Sequence, residues 1–101
     1  MTIRETRDGE VVTLAVEGRI DTTNAPELQQ AILNAYQKGK DVILDMSELD
    51  YISSAGLRAL LIGHKTATSK GGSQKLIGVR EMIMDILDTT GFSDILNIEE
   101  Q

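Results

Sequence analysis

In Leu44-Asp-Met-Ser-Glu-Leu-Asp-Tyr-Ile-Ser-Ser-Ala-Gly-Leu-Arg-Ala-Leu-Leu61 the end of an apolar run, a polar connection and a helical repeat follow one another. The apolar run Val42 to Leu44 that enters it reads as a central strand covered on both faces. A short polar connection follows and ends in two serines. Beyond them Leu57, Leu60, Leu61 and His64 recur at helical spacing, while Ala55, Ala59 and Ile62 line a second face. A largely buried helix therefore starts near Ser54, and Lys70 and Gly71 end it. Ser53 or Ser54 stands at the helix N-terminus, where N–H groups lack intrahelical partners and the dipole is positive. An oxygen there is suited to carry a phosphate. The plainer alternative is that both serines only cap the helix.

Working toward the N-terminus, Ile3–Arg7 and Glu10–Glu17 flank Asp8-Gly9, a hairpin signal. Val12, Leu14 and Val16 alternate with Thr13, Ala15 and Glu17, so the second strand packs on one face. Gly18-Arg-Ile-Asp21 leaves that strand. Thr22, Thr23 and Asn24 are possible N-caps of the next helix, and Asn24 with Glu27 resembles a capping box. Pro26 suits the first turn of that helix, Leu28, Ile32 and Ala35 give its apolar stripe, and Gly39 reads as its C-terminal cap. Toward the C-terminus, Lys75–Val79 reads as a strand. Arg80–Thr90 reads as a helix with Ile83, Ile86, Leu87 and Thr90 inward, closed by Gly91-Phe92. Ile95–Ile98 reads as a last strand, and Glu99-Glu-Gln101 as a frayed tail. The order is β-β-α-β-α-β-α-β, an α/β domain with a mixed, mostly parallel sheet and helices packed on one face.

Composition narrows the function classes. The 101 residues suit one small domain spanning 1–101 and leave little room for a deep substrate cavity. Net charge is −6 and only three residues are aromatic (Tyr36, Tyr51, Phe92). Nucleic acid would be repelled and would find no stacking platform. With no cysteine there is neither a disulfide framework nor a thiolate metal site, which fits a reducing cytoplasm. No signal peptide or membrane-length apolar run is legible, so the expected location is cytoplasmic, with no membrane partner.

Four local patterns, with the order of elements, resemble a STAS domain of the anti-sigma factor antagonist family. They are Gly18-Arg-Ile-Asp21, Leu44-Asp-Met-Ser47 leading to Tyr51-Ile-Ser-Ser-Ala-Gly-Leu57, Lys70-Gly-Gly72, and Ile86-Leu-Asp-Thr-Thr-Gly-Phe92. The family's usual form at the central pattern is Asp-Ser-Ser/Thr/Ala-Gly-Leu, with the serine two before the glycine phosphorylated. Aligned on Gly56, that serine is Ser54, and Ser53 takes the place of the family's aspartate.

The resemblance implies a phospho-switchable binding module rather than an enzyme. Dephosphorylated, it would hold a cognate anti-sigma factor serine kinase and free a sigma factor; a metal-dependent serine phosphatase would restore it after phosphorylation. Ser54 would be the acceptor, and Asp21, Ser53, Ala55, Gly56 and Arg58 the partner-binding residues. No cofactor or metal of its own is expected. The alternative within the same fold is a non-switching adaptor subunit in a lipid-transport or stress-signalling complex. A hydrolase using Ser54 lacks Gly-x-Ser-x-Gly. Its one imidazole, His64, lies ten residues along the same helix, about 15 Å from the hydroxyl at the rise of an α-helix. A phosphoaspartate receiver at Asp45 would need an acidic magnesium cluster that the strand ends do not offer. Asp45 is expected to bond the loop leading to Ser54.

Overall fold

Burial alternates along the strands and assigns the layers. Val12, Leu14 and Val16, Val42 and Leu44, and Leu76 are buried, whereas Thr13, Ala15, Ile43, Lys75 and Ile77 between them are half-exposed. One face of the sheet is therefore roofed by helices and the other is open. The computed structural model describes residues 1–99. Its elements are β1 (Thr2–Asp8), β2 (Val11–Ile20), α1 (Ala25–Tyr36), β3 (Asp41–Asp45), β4 (Leu49–Ile52), α2 (Ser54–Ser69), β5 (Ser73–Ile77), α3 (Glu81–Thr90) and a 3-10 turn at Phe92–Asp94. The strand order is β1-β2-β3-β5, with β4 pairing β2. β1 runs antiparallel to β2, and the β2–β3, β2–β4 and β3–β5 pairs are parallel. The mixed, mostly parallel sheet with helices on one face is as the sequence predicts.

Several local expectations are corrected. The polar connection after β3 contains a strand, β4, because Leu49 and Ile52 are buried at its two ends and Tyr51 pairs with Arg19. The last strand reduces to one bridge, Leu76 to Ile98, after the 3-10 turn consumes the residues before it. β3 is covered on one face only, since Ile43 is half-exposed. Asn24 does not cap α1 with its side chain. Instead its Oδ1 accepts from the Asp21 N–H at 2.8 Å and its Nδ2 donates to the Arg19 carbonyl at 2.9 Å. Gly39 is not a left-handed cap; a Cβ there would lie 2.4 Å from the Glu10 carbonyl oxygen, so close approach is what its lack of a side chain serves. Thr90 faces outward and its hydroxyl donates to the Ile86 carbonyl at 2.7 Å. Of the tail, Glu100 and Gln101 lie outside the described residues.

Two features set the height of α2 over the sheet. Its buried residues are Gly56, Leu57, Ala59, Leu60, Gly63 and Ala67, a stripe dominated by small side chains. Gln74, the buried polar residue of β5, donates its Nε2 to the Leu60 carbonyl at 2.9 Å, tying the middle of α2 to the sheet.

Candidate functional site

The site is assembled where parallel strands deliver their C-terminal ends side by side. At Gly18 (φ +93°) β2 changes register. The strand then pairs with β4 rather than β3, and Ile20 comes opposite Ile52. The Ser53 N–H donates to the Ile20 carbonyl at 2.9 Å. Asp21 and Ser54 thus each follow directly on a bonded residue, and the two segments leave the sheet together.

The two serines divide the work that the sequence left open between them. Ser53 has extended backbone angles (φ −84°, ψ 171°) and its Oγ accepts from the Gly56 N–H at 3.2 Å, so it is the N-cap. Ser54 is the first helical residue and is exposed. Among the described residues no hydrogen bond engages its hydroxyl. Helix geometry leaves the Ser54 and Ala55 N–H groups without intrahelical acceptors. No acidic side chain stands in the first turn to neutralise the dipole there. The dipole at this helix end favours an added anion at Ser54.

The other expected residues separate into two groups. Arg58 is exposed, and Ala55 is half-buried against the core. Gly56 is buried: a Cβ on it would come within 2.7 Å of both Ile20 Cγ2 and Ile52 Cγ1. Its lack of a side chain seats the first turn of α2 on the ends of β2 and β4. Asp21 is half-buried and turns its carboxylate into the chain rather than outward. Its Oδ1 accepts from the Thr23 hydroxyl at 2.6 Å and from the Thr23 and Asn24 N–H groups at 3.0 Å. These bonds, the Thr23 hydroxyl foremost, hold its pKa below the usual 3.8. Among the described residues no hydrogen bond engages its other oxygen, which lies beside the turn that launches α1.

Sequence reasoning missed the surface around β4. The Arg19 guanidinium lies over the Tyr51 ring, 4.5 Å from its centroid, and Arg80 pairs with Asp50 at 2.8 Å. The second contact joins the residue before α3 to β4, and Met82 in the first turn of α3 is 58% exposed. Recognising β4 would have exposed the first pairing, because Arg19 and Tyr51 are cross-strand neighbours. Asp45 accepts from the Ser47 N–H at 3.0 Å, shaping the β3–β4 connection as expected. His64 is half-buried further along α2. Among the described residues there is no group of three or more His, Cys, Asp or Glu placed to hold a metal, and no helix is long and apolar enough to cross a membrane.

The family model described as the STAS domain matches residues 2–101. A Listeria monocytogenes protein named anti-sigma-B factor antagonist is 30% identical over 95 residues, covering 92% of this chain and 82% of its own length. The Bacillus subtilis protein of the same name is 29% identical over 87 residues, covering 86% of this chain and 80% of its own length. Among solved structures, an anti-sigma factor antagonist from Mycobacterium paratuberculosis superposes with a TM-score of 0.85 at 21% identity, over 99% of this chain and 86% of that one.

Proposed function

The chain belongs to the STAS domain family, and from that premise we propose that it is an anti-sigma factor antagonist switched by phosphorylation of Ser54. In its unmodified form it binds an anti-sigma factor that is also a serine kinase, and so frees a sigma factor. The kinase transfers the γ-phosphoryl group of ATP to the Ser54 hydroxyl, which loses its proton, with ADP as the product. A metal-dependent serine phosphatase hydrolyses the ester and restores the hydroxyl. The nucleotide and the metal belong to those partners. The names of the Listeria and Bacillus relatives support the coarser part of this reading.

One observation carries the finer part: Ser53 supplies the cap and Ser54 stands exposed beside it with its hydroxyl uncommitted among the described residues. A phosphate at Ser54 gains roughly 0.3–1 kcal/mol from the helix N-terminus, so the fold accepts it. At a protein interface the same dianion must be desolvated, and a loss of about 3 kcal/mol there is already about a hundredfold in affinity. Docking changes while shape does not. Ala55 and Arg58 follow the acceptor in the first turns of α2, Asp21 follows the strand end paired beside it, and the exposed Met82 adds an apolar element at the start of α3.

The test incubates the protein with an anti-sigma factor serine kinase from the same genome and ATP, and records intact mass for wild type and Ser54→Ala. A single phosphate increment in wild type alone is the expected result. No increment together with a stable complex would replace this reading with that of a non-switching adaptor. Hydrolysis of a model ester, abolished by Ser54→Ala, would replace it with an enzyme.

A further inference from the structure

We propose that the free edge of β1 is a self-complementary surface on which a second copy of this chain adds its own β1 antiparallel, Thr6 opposite Thr6. Among the described residues β1 has one neighbour, β2, and it pairs along its whole length from Thr2 opposite Glu17 to Asp8 opposite Val11. Every residue of β1 except Ile3 is exposed, so no helix or loop among the described residues covers its outer side. A seven-residue strand edge of this kind is a template for another strand.

The phase of the ladder says which backbone groups are free. The two-residue turn Gly9-Glu10, with φ +60° at Gly9, closes on the pair Asp8 and Val11. Such a turn has a hydrogen-bonded pair at its base. Alternation from there turns the N–H and C=O groups of Arg7, Glu5 and Ile3 away from β2. Side chains follow the opposite bookkeeping of faces: Ile3, Glu5 and Arg7 share the helix side with Val16, Leu14 and Val12, and Arg4, Thr6 and Asp8 share the open side with Ala15, Thr13 and Val11.

Charge then selects a single register. A continuous sheet with its two-fold axis perpendicular to the strands requires paired residue numbers to sum to an even value. Centring on Glu5 sets Glu5 against Glu5, centring on Arg4 sets Arg4 against Arg4, and centring on Arg7 sets Arg7 against Arg7. Centring on Thr6 alone sets every charge against its opposite. Glu5 then faces Arg7 of the second copy on the helix side, and Arg4 faces Asp8 on the open side, each twice by symmetry. In the same register Glu5 and Arg7 are residues whose backbone groups point outward, so they exchange both hydrogen bonds. The outward backbone groups meet in every register of even sum, so the charge pattern is what selects this one.

The present partners of these side chains do not oppose this. Arg4 meets Glu17 at 3.3 Å and Glu5 meets Lys38 at 2.7 Å, both at exposed positions where an ion pair is worth little. The paired strands also lie clear of the phosphorylation site. Thr13, the neighbour of Thr6, is seven residues from Ile20 along β2, or about 23 Å at the rise of a strand. The dimer would present two Ser54 faces without covering either.

Sedimentation equilibrium on the full chain, from micromolar to about 1 mM, reads the association. The wild type is expected to form a dimer that high salt weakens. Glu5→Arg and Arg7→Glu each place like charges opposite one another, and each is expected to weaken the dimer about tenfold to a hundredfold. An equimolar mixture of the two variants restores opposite charges across the joint and should dimerise again. Circular dichroism establishes that each variant is folded; if a reversal unfolds, Glu5→Pro serves instead, because it removes an outward N–H and no ladder bond to β2. A wild type that stays monomeric throughout, a dimer indifferent to these substitutions, or folded variants whose mixture stays monomeric would each overturn the proposal.

Discussion

Gly56→Ala sets two opposed effects against each other at the head of α2. Alanine is favoured over glycine in a helix interior by about 1 kcal/mol, so propensity predicts a more stable protein. The structure predicts the reverse. The added Cβ would sit 2.7 Å from Ile20 Cγ2 and 2.7 Å from Ile52 Cγ1, with Ile52 Cδ1 at 3.3 Å. Both isoleucines are buried, at 0% and 2% exposure, on strands that pair with each other. Their β-branched side chains have little χ1 freedom with which to yield. Overpacking costs about 1–3 kcal/mol, and two contacts at 2.7 Å against buried branched side chains put this site in the upper part, about 2–3 kcal/mol, which exceeds the propensity gain. The expected net loss is about 1–2 kcal/mol, or a fall in Tm of roughly 4–16 °C for a domain of this size. Urea titration followed by circular dichroism measures it, with an unchanged slope showing that the transition still exposes the same surface. A variant as stable as the wild type, or more so, would refute the argument that Gly56 seats the helix on Ile20 and Ile52.

Ser53→Ala removes the acceptor for the Gly56 N–H and should lower stability by about 1 kcal/mol in the same urea titration, while leaving the Ser54 hydroxyl in place. An unchanged midpoint would mean that the capping bond contributes nothing. Asp21 has a folded pKa below its ordinary 3.8, set first by the Thr23 hydroxyl. Its stabilisation is therefore fully present above that ordinary value and is lost as pH falls through the lower folded one. In an NMR titration its carboxyl midpoint should fall below 3.8, and Thr23→Ala should raise it. A midpoint at or above 3.8 would remove Asp21 from the hydrogen-bonded turn described above.

The legibility of the site followed the range of the forces that build it. Ser54 at the start of α2 was readable because capping, helical periodicity and the dipole act within one turn. Which serine caps was not readable, since either oxygen satisfies the same local chemistry. The choice depends on Ser53 being held extended by its N–H bond to Ile20, a residue on another strand. β4 was invisible for a related reason. Leu-Asp-Tyr-Ile reads as a polar connection until β2 changes register at Gly18 and offers Arg19 and Ile20 to pair with it. Asn24 and Glu27 matched a capping box in spacing, yet the side chain of Asn24 found stronger use binding Arg19 and Asp21 behind it.

The apolar faces, the order of the main elements and a pair of serines at a helix start follow from the sequence alone, because periodicity and capping are written within a few residues. Only the tertiary structure decided that Gly56 is buried, that Asp21 turns its carboxylate onto Thr23 and Asn24, that Arg19 stacks on Tyr51, and that β1 keeps a free edge. Each of those depends on segments far apart in the chain being brought within a few ångströms, and no local pattern encodes which partner arrives.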